Sequence, residues 1–205
     1  MTEKERMIAG LIYSDGDDEL QNAMAQCKKK LYEYNNMPDA TREERGDKLR
    51  EILGRVGNWA YIEPPFYCDY GTNILLGDAF YANYNLHILD CARVIIGDNV
   101  FIGPMCGIYT PKHPIDAEIR NSGIESAAEI RIGSNVWIGG SVTINHGVTI
   151  GSNVVIGSGS VVTKDIPDNC IAVGNPCKFK RAITDEDKAY WTRLSDEYHA
   201  EMDKD

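Results

Sequence analysis

A six-residue period is the feature that most constrains the fold of this chain. Aliphatic residues recur at every sixth position through the C-terminal half of the sequence, at Ile132, Ile138, Ile144, Ile150, Ile156 and Val162. A series of valines runs four residues behind them, and a glycine directly follows most members of the first series. Six residues fit neither the period of a helix nor the alternation of a plain strand. The period fits a short strand and a turn, repeated many times.

Such a repeat predicts a parallel β-helix. Three hexads can form one coil, with aliphatic side chains in a triangular core and Gly or Asn easing each corner. Residues 132–167 then make two coils, and aliphatic positions between residues 76 and 108 supply about two more. The eight-residue spacing from Ile88 to Ile96 predicts a two-residue bulge near Asp90. A sandwich of short strands is the alternative, but its strands do not hold one register for so long.

The aliphatic repeat lapses between residues 109 and 129, which predicts an extruded loop. His113 lies in this loop between Pro111 and Pro114, which stiffen the backbone. An imidazole can take a proton from a hydroxyl near neutral pH, so His113 is a candidate general base. A solvent-facing loop histidine is the other interpretation. A packed solenoid rarely extrudes so long a segment without a functional reason, which favours the first.

Helices are predicted on both sides of the repeat. Apolar residues at helical spacing from Leu20 to Leu31 mark the first, and a capping box from Thr41 to Glu44 starts the second. A further helix is predicted to start at Thr184. We therefore divide the chain into a helical cap (1–55), a β-helix (56–180) with an extruded loop (109–129) and a C-terminal helix (181–205).

Composition limits the partners and the compartment. The net charge of −10 argues against a nucleic-acid or anionic-membrane surface. No stretch approaches the ~18 apolar residues of a membrane span, and the N-terminus has no secretory signal, so we expect a cytoplasmic protein. The six cysteines are scattered without metal-ligand spacing, which predicts reduced thiols and no metal requirement. Cys106 occupies a core position of its hexad and is interpreted as packing.

Basic residues gather where the repeat ends, against this acidic background. They are Lys164, Lys178, Lys180 and Arg181. Lysine point charges and an arginine fork suit phosphate groups, so the cluster is a phosphate-binding candidate. A solvated charged turn is the equally weighted alternative.

Specific runs of sequence resemble the maltose and galactoside O-acetyltransferases over essentially the whole chain. These runs are NWAYIEPPFYCDYG, GDAFYANYN, PKHPID, IGSNVWIGG, GSGSVVTKDIP and GNPCKFKRAI. The resemblance implies a mainly β fold, a left-handed parallel β-helix with an N-terminal helical cap and a C-terminal helix. It also implies acetyl-CoA as co-substrate, a small sugar as acceptor, and a homotrimer with active sites between subunits.

The resemblance implies a role for each matching residue. His113 would be the catalytic base, with Glu125 in the same loop orienting the imidazole or binding a sugar hydroxyl. The acceptor contacts would be Asp15, Asp69, Asn83 and Asp90. The acetyl-CoA groove would be lined by Trp137, Gly140, Ser158, Thr163, Lys164, Lys178 and Arg181. The chain departs from the galactoside enzyme at Asp69, Cys91, Gly140, Ser158 and Lys178, which stand where that enzyme has other residues.

The predicted function is therefore direct acetyl transfer from acetyl-CoA to a sugar hydroxyl in a ternary complex, with His113 as general base. The acidic acceptor set favours a polyhydroxyl partner, because carboxylates and amides bind sugar hydroxyls. Transfer to another hydroxyl, of a xenobiotic or of serine, is one alternative. A catalytically idle β-helix that binds sugar is the other.

Overall fold

The computed structural model describes residues 1–203, so the last two residues of the predicted C-terminal segment lie outside the described residues. The helices are α1 (Glu3–Ile8), α2 (Asp18–Asn35), α3 (Arg42–Ile52), α4 (Ala117–Arg120) and α5 (Asp185–Met202). The strands are β1 (Tyr13–Ser14), β2 (Tyr61–Ile62), β3 (Phe66–Cys68), β4 (Ile74–Leu76), β5 (Tyr81–Ala82), β6 (Leu86–Leu89), β7 (Val94–Ile96), β8 (Phe101–Ile102), β9 (Gly107–Tyr109), β10 (Pro111–Lys112), β11 (Ile124–Ala127), β12 (Ile130–Ile132), β13 (Val136–Ile138), β14 (Thr143–Ile144), β15 (Thr149–Ile150), β16 (Val154–Ile156), β17 (Val161–Val162), β18 (Cys170–Val173) and β19 (Lys178–Ala182).

The predicted solenoid is confirmed, with three faces built of stacked parallel strands. The first face contains β2, β5, β8, β13, β16 and β18; the second contains β3, β6, β9, β14 and β17; the third contains β4, β7, β12 and β15. Ile138 pairs with Ile102 on one side and Ile156 on the other, so the hexad residues stack in register along the core. All three are at most 2% exposed. Burial of one aliphatic side chain per hexad is the main stabilising contribution.

The first coil of the solenoid lies within the predicted range 56–180, but it precedes the aliphatic period, which starts at Leu76. Strands β2 and β3 pair with β5 and β6 and form this first coil. Its core positions are Ile62 and Phe66, separated by Glu63, Pro64 and Pro65, and the prolines and the aromatic residue hide the hexad pattern.

Side chains of one corner tie successive coils together. Oδ1 of Asp78 accepts from the backbone N–H of Asn58 at 2.7 Å, and Oδ1 of Asp98 accepts from that of Asp78 at 2.7 Å. Ser134 continues the series with the N–H of Asp98 at 3.0 Å. The coils approach so closely that a Cβ on Gly77 would lie 2.5 Å from the carbonyl carbon of Gly97, so glycine is required there.

The helical cap closes the N-terminal end of the solenoid. The predicted apolar face of α2 is confirmed, because Leu20, Cys27 and Leu31 are buried, and Thr41 forms the predicted capping box before α3. Helix α1 was not predicted. The cap also brings two cysteines together that appear scattered in the sequence: the sulfur atoms of Cys27 and Cys68 lie 3.6 Å apart.

The C-terminal segment folds back before its helix begins. Strand β19 pairs antiparallel with β18 and extends across residue 180, where the sequence-based boundary was placed. Helix α5 begins after Thr184, as predicted, and buries none of its residues against the part of the chain that the structure describes. No helix among residues 1–203 is long and apolar enough to span a membrane.

The interruption of the repeat is ordered rather than a bare loop. Strands β10 and β11 pair antiparallel, β11 also pairs antiparallel with β1, and α4 connects β10 to β11. The N-terminal segment thus contacts a segment more than one hundred residues away, and this small sheet carries the candidate site.

Candidate active site

The small sheet places His113 beside Glu125. Strand β10 ends one residue before His113, and its partner β11 presents Glu125, one residue from the paired Ser126. Nε2 of His113 lies 3.4 Å from Oε2 of Glu125, with side chains 56% and 10% exposed. The imidazole is therefore open to a substrate on one side and faces a nearly buried carboxylate on the other.

Tyr13 holds the far side of the same carboxylate. It pairs with Glu125 across β1 and β11, and its hydroxyl donates to Oε1 of Glu125 in a buried hydrogen bond. Burial raises the pKa of Tyr13 above its usual range, and the charge of Glu125 acts in the same direction, so the phenol stays protonated and donates. Tyr13 was missed in the sequence, where it belongs to no motif.

Thr110 anchors the start of the interrupting segment to the solenoid. Its side chain is fully buried, donates to the carbonyl of Leu89 at 2.7 Å and accepts from the backbone N–H of Ala92 at 2.9 Å. Below the site, Tyr13 packs in one apolar cluster with Tyr70 and Ala127. The backbone that leads to His113 is thus anchored by Thr110, and its Glu125 partner by Tyr13.

Cys91 belongs to this cluster, and Asp69 lies next to it. The sulfur of Cys91 is 3.9 Å from Oδ2 of Asp69. Burial raises the pKa of Asp69, Lys28 opposes that rise, and the charge of Glu125 adds to it. Burial also raises the pKa of the Cys91 thiol, which leaves it unionised and a poor nucleophile. Asp15 is exposed directly after β1, near the turn at Gly123.

Asp90 lies behind Asp69 and has no exposed surface. Its Oδ1 accepts from the backbone N–H groups of Asp69 at 3.0 Å and Tyr70 at 2.9 Å, and Oδ2 accepts from that of Asn73 at 3.4 Å. The predicted excursion of the chain at this position is present between β6 and β7. Its carboxylate holds the turn that carries Asp69, and the predicted direct contact of Asp90 with an acceptor does not fit this geometry.

Asp90 makes the stability of the protein depend on pH. Burial raises its pKa from 3.8 to about 6, although its backbone hydrogen bonds act in the opposite direction. The folded state then binds more protons than the unfolded state between about pH 4 and pH 6, so this group's contribution falls by about 3 kcal/mol as pH rises through that range. We expect an Asp90→Asn variant to lose this part of the pH dependence. The melting temperatures of the wild type and the variant at pH 4.5 and 7 measure this pH dependence. An equal change of melting temperature between the two pH values in both proteins would contradict the prediction.

One predicted acceptor residue, Asn83, and two predicted donor residues, Gly140 and Ser158, line a different edge of the solenoid. Asn83 follows β5, Gly140 follows β13 and Ser158 follows β16, all at the corner between the first and second faces. The backbone N–H of Gly159 donates to the carbonyl of Gly140 at 2.9 Å, which stacks this corner coil on coil. Trp137 is 59% exposed on the first face, next to Phe101.

The remaining predicted donor residues are spread over the C-terminal coils. Thr163 and Lys164 follow β17, at the opposite edge of the second face, and Lys178 is exposed on β19. Arg181 is already paired: its guanidinium donates to both carboxylate oxygens of Asp187, at 2.5 and 2.8 Å. Arg181 in turn lowers the pKa of Asp187. The lysines therefore carry the charge that is free for an anionic ligand.

Within one chain, the predicted acceptor and donor residues are divided between two edges of the second face. His113 follows β9 at one edge of the second face, whereas Asn83, Gly140 and Ser158 lie at its other edge. The strands of the second face stand between the imidazole and the corner.

Comparisons with known proteins decide the family. The maltose acetyltransferase hexapeptide capping motif matches residues 6–57, and the bacterial transferase hexapeptide (six repeats) matches residues 129–164. The galactoside O-acetyltransferase of Escherichia coli (strain K12) is 45% identical over 187 residues, covering 91% of this chain and 92% of that protein. The chain belongs to the maltose and galactoside O-acetyltransferase family.

Solved structures of the family have the same fold. A maltose O-acetyltransferase from Clostridium difficile 630 matches with a TM-score of 0.88 and 50% identity, covering 90% of this chain and 98% of that one. A galactoside acetyltransferase in complex with coenzyme A matches with a TM-score of 0.88 and 45% identity, covering 92% and 94%. The predicted left-handed parallel β-helix is confirmed, and the chain is an acyltransferase.

Among residues 1–203, no group of three or more His, Cys, Asp or Glu side chains could hold a metal ion.

Proposed function

We propose that the chain transfers an acetyl group from acetyl-CoA to a hydroxyl of a small sugar. The observation that carries this proposal is the exposed His113 imidazole, held 3.4 Å from a nearly buried glutamate and beside a corner bearing Asp69. The names of the maltose and galactoside relatives, and the coenzyme A in one of them, support the same reaction. Asp15 and Asp69 accept hydrogen bonds from sugar hydroxyls, and Asp90 supports Asp69 from behind.

The mechanism is direct transfer. The His113 imidazole takes the proton of the acceptor hydroxyl, whose oxygen attacks the carbonyl carbon of the thioester. The tetrahedral intermediate collapses by breaking the carbon–sulfur bond, and the imidazolium returns its proton to the leaving thiolate. Glu125 lies 3.4 Å from Nε2 of His113, so it holds the ring in one orientation and faces the positive charge of the imidazolium while that ion exists.

The donor would bind along the corner formed by Gly140 and Ser158, with its phosphates near Lys178 of the same chain and near Lys164 of a neighbouring chain, because Lys164 lies at the opposite edge of the second face. These lysines stand out against a net charge of −10, and lysine charges suit a pyrophosphate and a 3′-phosphate. Arg181 would bind a phosphate only after breaking its hydrogen bonds to Asp187. We therefore propose that Arg181 contributes less to donor affinity than the lysines do.

The active site would be completed by a second copy of the chain in a homotrimer. Within one chain, the second face separates His113 from the corner that carries Asn83, Gly140 and Ser158. Cyclic symmetry places one edge of a protomer against the other edge of its neighbour, which closes the site. His113 and the donor corner then come from different chains.

Measuring thiol release from acetyl-CoA tests the function directly. The acceptor panel contains glucose, maltose, a galactoside, serine and chloramphenicol at equal concentrations. We expect turnover with sugars and none above background with serine or chloramphenicol. Turnover only with a non-sugar would move the activity to another acceptor class, and sugar binding without turnover would make the chain a binding protein.

Tyr13 should support catalysis through Glu125. We expect Tyr13→Phe to lower kcat about tenfold with little change in the KM for acetyl-CoA, because the carboxylate loses a hydrogen bond that fixes it beside His113. Glu125→Gln should cost more, about 10- to 100-fold.

Tyr34→Phe is the matched control. This variant also loses a buried hydrogen bond of a tyrosine hydroxyl, here to the carbonyl of Ile62, but the residue lies in the helical cap. It should lower the melting temperature without lowering kcat. Equal kcat losses in the Tyr13 and Tyr34 variants would assign Tyr13 a purely structural role.

A further inference from the structure

We propose that Cys27 and Cys68 form a disulfide when the enzyme is oxidised by hydrogen peroxide, and that this bond weakens acceptor binding at Asp69. The two sulfur atoms lie 3.6 Å apart, within hydrogen-bonding distance. No other two cysteines among residues 1–203 are hydrogen-bonded to each other. The effect on the acceptor rests on the proposed function, whereas formation of the bond does not.

The pair joins two parts of the fold that are far apart in sequence. Cys27 lies on α2 in the helical cap and Cys68 is the last residue of β3 in the solenoid, 41 positions later. Both side chains are buried. A disulfide needs its sulfur atoms about 2 Å apart, so they must approach each other by roughly 1.5 Å. Rotation of the two side chains and a small shift of α2 towards β3 supply this movement without unfolding.

Two cavities give a small oxidant access to the buried pair. Cys27 lines a cavity of about 220 Å³, together with Tyr70 and other residues of the cap and the first coils. Cys68 lines a different cavity of about 460 Å³, together with Lys28 and Asp69. Hydrogen peroxide is little larger than water, and both cavities have room for several molecules of that size. Peroxide can therefore reach either sulfur although neither lies on the surface.

The oxidation proceeds in two steps. One thiol loses its proton, and the thiolate attacks a peroxide oxygen and breaks the O–O bond, which gives a sulfenic acid and a hydroxide that takes up the proton as water. The sulfur of the second thiol then attacks the sulfenic sulfur. The S–O bond breaks, and the hydroxide that leaves takes the second thiol's proton to form a second water. Two thiols and one peroxide thus become one disulfide and two waters.

The pair is expected to oxidise slowly. Its hydrogen bond with Cys27, together with burial, raises the pKa of the Cys68 thiol well above its usual range. The thiolate is the attacking form, so little of Cys68 is reactive near neutral pH. The pair therefore stays reduced in weak oxidant and responds to concentrated or sustained peroxide, faster at higher pH.

Asp69 connects the pair to the candidate site, because it follows Cys68 directly. β3 is the edge strand of the second face and has only β6 as a neighbour there, so it can yield towards α2. The turn after β3 cannot follow freely, since Asp90 accepts hydrogen bonds from the backbone N–H groups of Asp69 and Tyr70. The displacement is taken up at Asp69. A carboxylate moved relative to His113 holds the acceptor less well.

The test treats the full-length enzyme with hydrogen peroxide, blocks the remaining thiols and maps disulfides by mass spectrometry. We expect a peptide in which Cys27 is linked to Cys68, and its loss on treatment with dithiothreitol. The melting temperature should rise by about 5–15 °C, because the bond closes a long loop. The KM for the sugar with the highest turnover in the acceptor panel should rise about three- to tenfold, the range of one weakened hydrogen bond to a carboxylate. Dithiothreitol should reverse this rise, and the KM for acetyl-CoA should stay unchanged.

Serine variants separate this pair from the other thiols. Cys27→Ser and Cys68→Ser should each keep the melting temperature and the sugar KM of the untreated protein after peroxide. Cys106→Ser is the matched control, because it removes a different buried thiol and should respond to peroxide like the wild type. A rise of the sugar KM that persists in Cys27→Ser would assign the effect to another residue and overturn the proposal.

Three further outcomes have definite meanings. Sulfinic acid at Cys68 without the linked peptide would overturn the disulfide. A linked peptide with an unchanged sugar KM would overturn the switch, because the bond would then have no effect on the acceptor. If no sugar reacts at all, the proposed function fails and the effect on the acceptor fails with it, while the linked peptide still supports the disulfide and its absence still overturns it.

Discussion

Replacing His113 with alanine is expected to lower kcat for acetyl transfer by about 10²- to 10⁴-fold, the usual contribution of a general base. The KM for acetyl-CoA should change little, because the proposed donor contacts are the corner residues and the lysines rather than the imidazole. Steady-state thiol release at saturating sugar measures kcat, and equilibrium titration with coenzyme A measures donor affinity.

His199→Ala is the control for this variant. It removes an imidazole from α5, outside the candidate site, and should leave kcat unchanged. Wild-type turnover in His113→Ala would remove the histidine from the mechanism. A fall in donor affinity equal to the fall in kcat would place His113 in the donor groove instead.

Mixed trimers are expected to recover activity from two inactive parents. One parent is His113→Ala, and the other is Ser158→Trp, which fills the exposed donor corner without touching the core. If His113 and the corner of one site come from neighbouring chains, every trimer that contains both parents has one intact site of three, whichever parent supplies two of the chains. We therefore expect about a third of wild-type activity.

The mixed proteins are made by co-expression with two affinity tags and purified through both. Trimers of each parent alone, prepared in the same way, set the background. A mixture no more active than its parents would place both groups on one chain. That result would contradict the shared site while leaving the chemistry of His113 untouched.

The β-helix itself could be predicted from the sequence because its determinants are local and periodic. Each hexad supplies one core residue and one turn, so the pattern that indicates the fold recurs many times along the sequence. Ile102 and Ile138 are two such core residues, and they stack on neighbouring strands. The first coil lies inside the predicted range 56–180 but outside the aliphatic period, because Pro64, Pro65 and Phe66 interrupt the series there. The segment 109–129 also interrupts the hexad repeat, and this visible break drew attention to His113.

Contacts between distant segments could not be predicted. Tyr13 reaches Glu125 only because β1 pairs with β11, and no spacing in the sequence records that pairing. Likewise, the sequence shows a carboxylate at Asp90 but not that it lies wholly beneath the turn of Asp69. The Arg181 fork was expected to face a phosphate, and the structure pairs it with Asp187.

The sequence by itself determined the solenoid, its cap and the place of the exceptional histidine, because a core residue that recurs every six positions leaves only one way to bury them all. The tertiary structure decided what each polar residue does. The role of a carboxylate or an imidazole depends on its burial and on the group facing it, and both follow from coils stacked far apart in sequence. The separation of His113 from Asn83, Gly140 and Ser158 by the second face is such a fact.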